Sequence, residues 1–406
     1  MSKVVTRRSI VGGIGAGLFL RGTCGARADK KYGVGISDTE IKLGTTSPYS
    51  GPASAYGVFG QTQSAYFQMI NDQGGINGRK VNLISLDNAY SPPKALEQTR
   101  KLVESDEVFA IAGFLGTAPN VAVQKYLNSN SVPSIFLTSG AERFNDPKNF
   151  PWIVPFHPTF VSQGAAYGQY LIDHRPNAKI AVHYLNDDLG RDFLRGLRTA
   201  LGGQEKLIIG QIPHELTDPT IDGAIVELRA TGADVLVQLT TSKFVAQGIR
   251  KVAELGWKPT YIIASIAAGI GSTLVPAGPE NSKGVITARW LKHPMDPGEV
   301  NSPDVADYKA FVAKYMPRLD IEDDTAVVGY VNAYMICLVL RRCGDDLSRE
   351  NLLVQATNIK EPRVPMVLEG LRIFNSPTNY LAYHSLQLAQ FDGKHWVSLG
   401  DMATTN

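Results

Sequence analysis

The chain has 406 residues, of which 44% are hydrophobic and 19% charged, so it can bury a large core, and its length predicts more than one lobe. Its formal net charge is +2, and no run of basic residues stands out. This composition argues against the electrostatic surface that nucleic acids or anionic membranes attract, and we expect no nucleic-acid partner.

The N-terminus has the features of an export signal. Arg7 and Arg8 precede an apolar run at 10–20, and the small-residue site Ala26-Arg27-Ala28 follows it. The apolar run is much shorter than the roughly 20 residues that a membrane-spanning helix needs. We therefore predict a twin-arginine-type signal peptide over residues 1–28, cleaved near Ala28, and a periplasmic location. A membrane anchor and a disordered tail are the alternatives.

Cleavage after Ala28 changes the charge and the cysteine content. It removes five basic residues and no acidic one, so 35 basic and 38 acidic residues remain and the net charge becomes −3. Lipid attachment at Cys24 is a weaker alternative, because Thr23 is a poor residue immediately before an acylated cysteine. The remaining Cys337 and Cys343 are expected in one helix, on different faces, so we expect no disulfide between them.

The first part of the chain alternates between strand-like and helix-like hydrophobic periods. The predicted elements are a strand at 41–46, a helix from 57 to 74, a turn at Asn77-Gly78, a strand at 80–87, a helix at 93–104 with Ser91 as N-cap, and a strand at 108–113. This order is a βαβαβ unit, which requires a parallel sheet with helices on both faces.

The same rhythm continues in the rest of the chain. Short apolar strands are predicted at about 133, 179, 206, 234 and 260. The proline-rich stretch at 146–160 predicts a crossover between two such sheets, and Asp392-Gly393 between alternating runs predicts a β-hairpin. The fold class is therefore α/β, with two doubly wound parallel sheets.

The sequence lacks the common catalytic and metal-binding motifs. It contains no H-E-x-x-H, G-x-S-x-G, Walker or C-x-x-C motif, and its seven histidines are scattered. We therefore expect no metal, no cofactor and no catalytic residues.

Polar loops follow two neighbouring predicted strands. "FLGTAPN" at 114–120 and "TSGAE" at 138–142 supply hydroxyls and small residues at strand-to-helix turns. We expect Thr117 to cap a helix whose free N–H groups attract a carboxylate. Ser, Thr and Gly are also ordinary turn residues, but the two loops together favour a small anionic ligand.

Five segments resemble the periplasmic leucine/isoleucine/valine-type solute-binding proteins, the type I binding proteins of ABC importers. They are "IKLGTTSPYSGPASAYG", "INDQGGINGRKVNLISLD", "GTAPNVAVQKYLNSNSVPSI", "NDDLGRDF" and "AQGIRKVAELGW". The resemblance runs from about 41 to 396 and implies two α/β lobes joined by three crossovers that close on a ligand like a hinge. It places lobe one at 40–156 and 289–370, and lobe two at 157–288 and 371–402.

The resemblance also implies ligand contacts on lobe one. They fall on an aromatic wall, a loop that holds the ligand carboxylate, and a second carboxylate-binding turn. The residues at these places are Tyr56 for the wall, Phe114, Thr117 and Ala118 for the loop, and Thr138, Ser139 and Gly140 for the turn.

On lobe two the sequence departs from the family pattern. Leu189 stands where the family has a cleft tyrosine, and Thr241 is near the position of a second one. The acid that binds the amino group in leucine binders should follow "TYIIA", yet Ser265 stands there, and no acid occurs between Glu254 and Glu280.

This departure bears on the ligand. A buried ammonium needs a counter-charge, and Asp187 or Asp188 is the candidate placed near the cleft, with a helix N-cap as the alternative role. We expect a ligand that carries a carboxylate and needs no α-ammonium; the rival hypothesis moves the ammonium site to Asp187. Tyr49, Tyr90 and Phe244 are candidates for an apolar wall, with ordinary packing as the alternative.

Three functional classes remain. The first is a transport receptor that delivers an amino acid or organic acid to an ABC permease and ATPase complex in the inner membrane, acting as a monomer. The second is a sensory binding module, and the third is an exported hydrolase, for which the sequence offers no nucleophile–base pair. The permease-linked receptor, not an enzyme, fits the sequence best.

Overall fold

The computed structural model describes residues 30–404, which form an α/β protein built on two main sheets. The predicted signal peptide and Cys24 lie outside the described residues. The strands are β1 (Lys31–Tyr32), β2 (Glu40–Ser47), β3 (Lys80–Asp87), β4 (Ala110–Ala112), β5 (Ser134–Leu137), β6 (Ile153–Pro155), β7 (Ile180–Leu185), β8 (Ile208–His214), β9 (Val235–Leu239), β10 (Thr260–Ile263), β11 (Ile286–Arg289), β12 (Asp346–Leu347), β13 (Lys360–Glu361), β14 (Ile373–Phe374), β15 (Ser385–Phe391), β16 (Trp396–Ser398) and β17 (Ala403–Thr404).

The α-helices cover the sheets and connect their strands. They are α1 (Val58–Asp72), α2 (Pro92–Arg100), α3 (Thr117–Ser129), α4 (Phe160–His174), α5 (Asp188–Leu201), α6 (Asp222–Ala230), α7 (Ser242–Glu254), α8 (Val275–Ala277), α9 (Pro279–Ser282), α10 (Pro303–Tyr315), α11 (Asp324–Cys343) and α12 (Arg349–Ala356). Short 3-10 turns lie at 54–57, 142–144, 202–207 and 265–267, and π-helical turns at 101–105 and 270–274.

Both main sheets are doubly wound. Sheet I has the order β3-β2-β4-β5-β6, with all strands parallel. Sheet II has five parallel strands in the order β8-β7-β9-β10-β11, extended by β15, which runs antiparallel and also pairs with β16 and β17. In each sheet the chain starts near one edge and then continues on the other side of its first strand, which leaves a crevice at the strands' carboxyl ends. The predicted fold class is confirmed.

Most of the predicted elements are confirmed, with three corrections. The strand at 80–87 is present. The turn at Asn77-Gly78 is also present, and both of its residues adopt positive φ angles. The hairpin of β15 and β16 closes through Asp392-Gly393. The predicted helix at 93–104 is helical over its whole length but changes type, since α2 ends at Arg100 and a π-helical turn follows to Ser105. Strands β6 and β11 of the main sheets were not predicted; the first lies in the proline-rich stretch.

The chain passes between the two sheets three times, after β6, after β11 and before β15. The segment after β11 returns to the sheet I side. There Tyr66 of α1 lies edge-on to Tyr330 of α11, with ring centres 5.0 Å apart, and 5.9 Å from Phe311 of α10. The predicted lobe boundaries stay a prediction.

Helix α11 is the longest helix among the described residues. By length and composition it is apolar enough to cross a membrane, but 72% of its apolar window is buried within the fold, as expected for a core helix. Cys337 and Cys343 lie in this one helix, as predicted, and both are buried. Burial raises the pKa of each thiol to about 12, so both are protonated at neutral pH.

Helices α4 and α5 make an unusually close contact. A Cβ on Gly164 of α4 would lie 2.0 Å from the carbonyl oxygen of Phe193, and a Cβ on Gly196 of α5 would lie 1.9 Å from that of Val161. The two backbones therefore touch, and Phe160 stacks on Phe193 with ring centres 4.8 Å apart. This contact fixes the first residues of both helices, which lie beside the main cavity.

We predict that Gly196→Ala lowers the free energy of unfolding by about 1–3 kcal/mol or more, because the added methyl group forces α4 and α5 apart. Denaturant unfolding measures the change. The matched control is Gly223→Ala in α6, where a Cβ meets nothing within 4 Å. There the substitution should stabilise by up to about 1 kcal/mol. Equal effects at both positions would contradict the proposed backbone contact.

Candidate functional site

The main cavity lies between the two sheets, at the carboxyl ends of their parallel strands. About 680 Å³ in this cleft, its open mouth included, is free of protein atoms. The lining residues are Tyr56, Tyr90, Leu115, Gly116, Thr117, Thr138, Ser139, His157, Phe160, Leu189, Thr241, Ser265, Ile266, Gly269, Trp290, Asp324, Thr325 and Val328. Six of the ten predicted site residues are brought together here: Tyr56, Thr117, Thr138, Ser139, Thr241 and Ser265.

The start of α3 forms the first polar part of the cavity wall. Gly116 precedes it with a φ of 111°, a conformation that favours glycine, and Thr117 is the first helical residue. The Thr117 N–H donates to Tyr90 Oη at 3.2 Å, while the Ala118 N–H has no hydrogen-bond partner among the described residues. A helix start with a free N–H group attracts an anion.

Thr117 does not cap α3, so that prediction is wrong. Gly116 occupies the N-cap position, one residue earlier than expected. The Thr117 hydroxyl instead forms a hydrogen bond with Ser139 Oγ at 2.8 Å. The two carboxylate loops predicted from the sequence are thus joined by their hydroxyls, because β4 and β5 are neighbours in sheet I.

Thr138 is held in place by a chain of amides. Asn332 of α11 donates to Thr138 Oγ1 at 3.2 Å and to the Phe136 carbonyl oxygen at 2.7 Å, and Gln63 of α1 donates to Asn332 at 3.0 Å. Since Thr138 Oγ1 already accepts a hydrogen bond, its O–H is free to donate into the cavity. Thr117, Thr138 and Ser139 therefore present hydroxyls on one wall.

The opposite wall comes from sheet II. Leu189 lies in the first turn of α5, Thr241 is the N-cap residue of α7 without a capping side-chain bond, and Ser265 begins the turn after β10. The Ser265 hydroxyl donates to Gln163 Oε1 of α4. Each of the three follows the carboxyl end of a parallel strand.

The other four predicted site residues lie behind the cavity wall. Phe114 is fully buried in the core, and Ala118 packs beneath the cluster around Tyr56. Gly140 accepts a hydrogen bond from the Phe160 N–H at 2.7 Å, and a Cβ there would lie 2.4 Å from the Pro158 carbonyl oxygen, so it permits close packing of the crossover.

Asp187 is the N-cap of α5. Its carboxylate accepts from the N–H groups of Leu189 at 2.9 Å and Gly190 at 3.3 Å. Burial raises the pKa of Asp187 to about 6 despite these bonds. Asp188 pairs with Arg143 at 2.9 Å across the cleft edge. Both acids thus have structural partners. A structural role at the start of a helix was the alternative considered for them from the sequence.

Aromatic side chains from the crossovers close the rear of the cavity. His157 lies 4.7 Å from Trp290 and 5.6 Å from Phe160 between ring centres, in both cases edge to face. His157 Nδ1 lies 2.8 Å from the Pro158 carbonyl oxygen, to which it donates. Burial lowers the pKa of His157 to about 4, so the ring is neutral at neutral pH and its Nε2 is an acceptor.

Tyr56 connects the two sides of the cleft. Its hydroxyl donates to the Ile266 carbonyl oxygen at 3.1 Å and accepts from the Ser242 N–H, at the start of α7, at 3.0 Å. Leu216, from the sheet II side, packs against the apolar cluster that contains Tyr56, Tyr90 and Leu115. The cleft is therefore in a closed arrangement, and the Tyr56 hydroxyl is used for closure.

Several lining residues were not predicted, and Asp324 is the most consequential. It is the first residue of α11, next to the N-cap Asp323, and its side chain is 31% exposed, towards the cavity. In the sequence, the pair of acids before a long apolar helix indicates only a capped helix.

Of the aromatic wall candidates, Tyr90 lines the cavity, whereas Tyr49 binds Ser85 and Phe244 is buried in another cluster.

Comparison with known proteins identifies related sequences and folds. The sequence profile of a family described as "Periplasmic binding protein" matches residues 40–395. Leu/Ile/Val-binding protein homolog 7 of Brucella abortus is 23% identical over 347 residues, which cover 82% of this chain and 85% of that protein.

Solved structures of similar fold include two transport proteins with different ligands. A branched-chain amino acid ABC transporter protein from Thermus thermophilus with bound valine has a TM-score of 0.79 at 16% identity, covering 91% of this chain and 97% of that one. A solute-binding protein of an ABC transporter from R. palustris in complex with benzoate has a TM-score of 0.75 at 19% identity, covering 90% and 97%.

We predict that Tyr56→Phe shifts the ligand-free protein towards an open cleft, because it removes the hydrogen bonds to Ile266 and Ser242. The free energy of unfolding should fall by about 1 kcal/mol. Small-angle X-ray scattering should show a larger radius of gyration than for the unchanged protein. The matched control is Tyr49→Phe, which removes a hydrogen bond to Ser85 within the sheet I side. An equal expansion in both variants would contradict the closing role of Tyr56.

Proposed function

The chain belongs to the periplasmic binding protein family, and from this premise we propose that it is the solute-binding component of an ABC importer. In this proposal it captures a small carboxylate-bearing ligand between its two lobes, closes by a hinge motion and releases the ligand to a permease. It binds the ligand without changing it chemically.

The observation that carries the proposal is the polar wall at the start of α3. The hydroxyls of Thr117, Thr138 and Ser139 lie together on one wall of the cavity, and the free N–H of Ala118 lies at the same helix start. N–H and O–H groups at a helix start form charge-assisted hydrogen bonds with a carboxylate. Neither lysine nor arginine is among the residues that line this cavity, so these groups supply the attraction for the anion.

The aromatic rear wall of the cavity determines which kind of tail the ligand can carry besides its carboxylate. Trp290, Phe160 and Tyr90, with Leu115, Leu189 and Val328, give an apolar lining that suits an aliphatic or aromatic tail. The neighbours with valine and with benzoate bind ligands that share a carboxylate and differ in the tail, which supports this breadth. The proposed ligand is an amino acid or an organic acid of this size.

The proposed partners are the permease and ATPase of an inner-membrane ABC complex, and the proposed location is the periplasm. The protein acts as a monomer, because the hinge brings both walls of the site from one chain. Cross-cleft contacts such as Tyr56 with Ser242 would then form and break in each transport cycle.

We predict that one or more compounds from a panel of amino acids, short-chain acids and aromatic acids stabilise the protein against heat. A ligand present at a hundredfold excess over its Kd adds about 2.7 kcal/mol to the free energy of unfolding, which a thermal-shift assay detects. Product analysis should recover the compound unchanged. A panel without any stabilising compound, or a ligand that is converted, would contradict the proposed function.

For a ligand found in this way, we predict that Thr117→Val weakens binding by about 1.5–3 kcal/mol in calorimetry, since a charge-assisted hydrogen bond is lost. The matched control is Thr99→Val in α2, a buried threonine whose hydroxyl has no hydrogen-bond partner and which lies away from the cavity. It should bind the ligand with unchanged affinity. An unchanged affinity in Thr117→Val, with the fold intact, would assign Thr117 a purely structural role.

A further inference from the structure

The Asp324 carboxylate lines the cavity without a cationic partner. It forms no hydrogen bond with another described residue, and the one basic group within 4 Å of it among the described residues is His293, whose Nε2 lies 3.5 Å from Asp324 Oδ1. His293 is fully buried, which lowers its pKa and leaves the ring neutral at neutral pH. The carboxylate is therefore not neutralised by the imidazole.

The cations near Asp324 are already paired with other acids. Arg289 lies 2.9 Å from Asp296 and 3.7 Å from Glu299, and Lys292 lies 2.9 Å from Asp304. Arg289 still has the largest charge effect on Asp324 and lowers its pKa, but three acids oppose that effect, and they are Asp296, Asp323 and Glu322. A carboxylate removed from water without a counter-charge is unfavourable, so this position favours a cationic group from outside the protein.

Asp324 also lies away from the carboxylate-binding wall. Ser265, Trp290, Asp324 and Val328 line both the main cavity and a smaller adjoining one, whereas Thr117, Thr138 and Ser139 line only the main cavity. The cleft thus has a part that offers hydrogen bonds to an anion and another part with a carboxyl group that lacks a cationic partner. Such a cleft matches a ligand with both charges.

We propose that Asp324 binds a cationic amino group of the ligand, with the Ser265 oxygen as a second acceptor, so that the ligand carries an amine as well as a carboxylate. This inference rests on the proposed function and names the ligand class within it. It replaces the expectation, drawn from Ser265 alone, that the ligand needs no ammonium. The acid comes from the start of α11 on the sheet I side, not from the loop after β10.

The raised pKa of Asp324 gives this assignment a pH signature. Burial raises the pKa of Asp324 to about 8, so in the empty cleft the carboxyl is largely protonated at neutral pH. An ammonium must displace this proton. At pH values below the pKa of Asp324, the binding of a ligand that carries an ammonium group therefore weakens as the pH falls, by up to about tenfold per pH unit. A ligand without an amine has no proton to displace and keeps or gains affinity at lower pH.

The test uses matched pairs of probes that differ only in the amino group. L-valine is compared with isovalerate, and L-phenylalanine with hydrocinnamate, by calorimetry on the full mature protein at several pH values. We expect at least one amino acid to bind more tightly than its partner acid, with the pH dependence described above. Asp324→Asn should weaken the amino acid by about ten- to a hundredfold and leave the acid unchanged or stronger.

Two further variants keep the test decisive. Asp324→Glu retains the charge and should retain part of the preference for the amine. Asp323→Asn changes the neighbouring acid, which caps α11, acts on Asp324 through its charge and does not line the cavity. Asparagine is also a good N-cap, so this variant should weaken the amino acid much less than Asp324→Asn does. Thermal unfolding of each variant verifies that the fold is intact.

The outcomes separate this inference from the proposed function. If the acids bind as well as the amino acids and Asp324→Asn changes neither, the protein is still a solute-binding protein but Asp324 does not bind an amine. If each acid binds more tightly than its matched amino acid across the pH range, the Asp324 side favours a ligand without an amine and the inference is also wrong. If no compound of the wider panel binds, both this inference and the proposed function are wrong.

Discussion

The parallel pairing of strands is the constraint on which the rest of this molecule depends. Because β4, β5 and β6 run in one direction in sheet I, and β7, β9, β10 and β11 in sheet II, every turn that follows them emerges at one edge of its sheet. The two edges face each other across the cleft. The lining residues Thr117, Thr138, Leu189, Thr241 and Ser265 all follow such strand ends. The site is thus a consequence of the topology, and side chains decide only its chemistry.

Closure is achieved with few polar contacts. The Tyr56 hydroxyl joins the segment after β2 to the start of α7 and to the Ile266 carbonyl oxygen, while Leu216 adds an apolar contact. At the cleft edge, Arg143 pairs with Asp188. Exposed ion pairs and single hydrogen bonds contribute about 1 kcal/mol each, so these polar contacts alone hold the two sides together only weakly. In the proposed function, a ligand that bridges both walls would add to this closure.

The charge distribution of the cleft separates two kinds of polar site. N–H and O–H groups around α3 offer hydrogen bonds without a formal charge, and they are supported from behind by Asn332 and Gln63. In the cluster at the second crossover, Arg289 pairs with both Asp296 and Glu299, so acids outnumber bases, and Asp324 borders this cluster without a cation of its own. Trp290 follows β11 at the start of the same crossover and also lines the cavity, so this segment connects the charged cluster to the ligand site.

The sequence by itself determined the parts that depend on local pattern. Hydrophobic periods identified most strands of the two main sheets and the α/β class, and the hydroxyls and glycines near two predicted strand ends marked the loops after β4 and β5, which do meet at one cavity. Only the tertiary structure decided which distant residues meet. Gly116, not Thr117, caps α3, since the Thr117 hydroxyl pairs with Ser139. Asp324 follows Ser265 by more than fifty residues, and only the packing of α11 on α1 brings its carboxylate to the same cavity, so no local pattern reveals it.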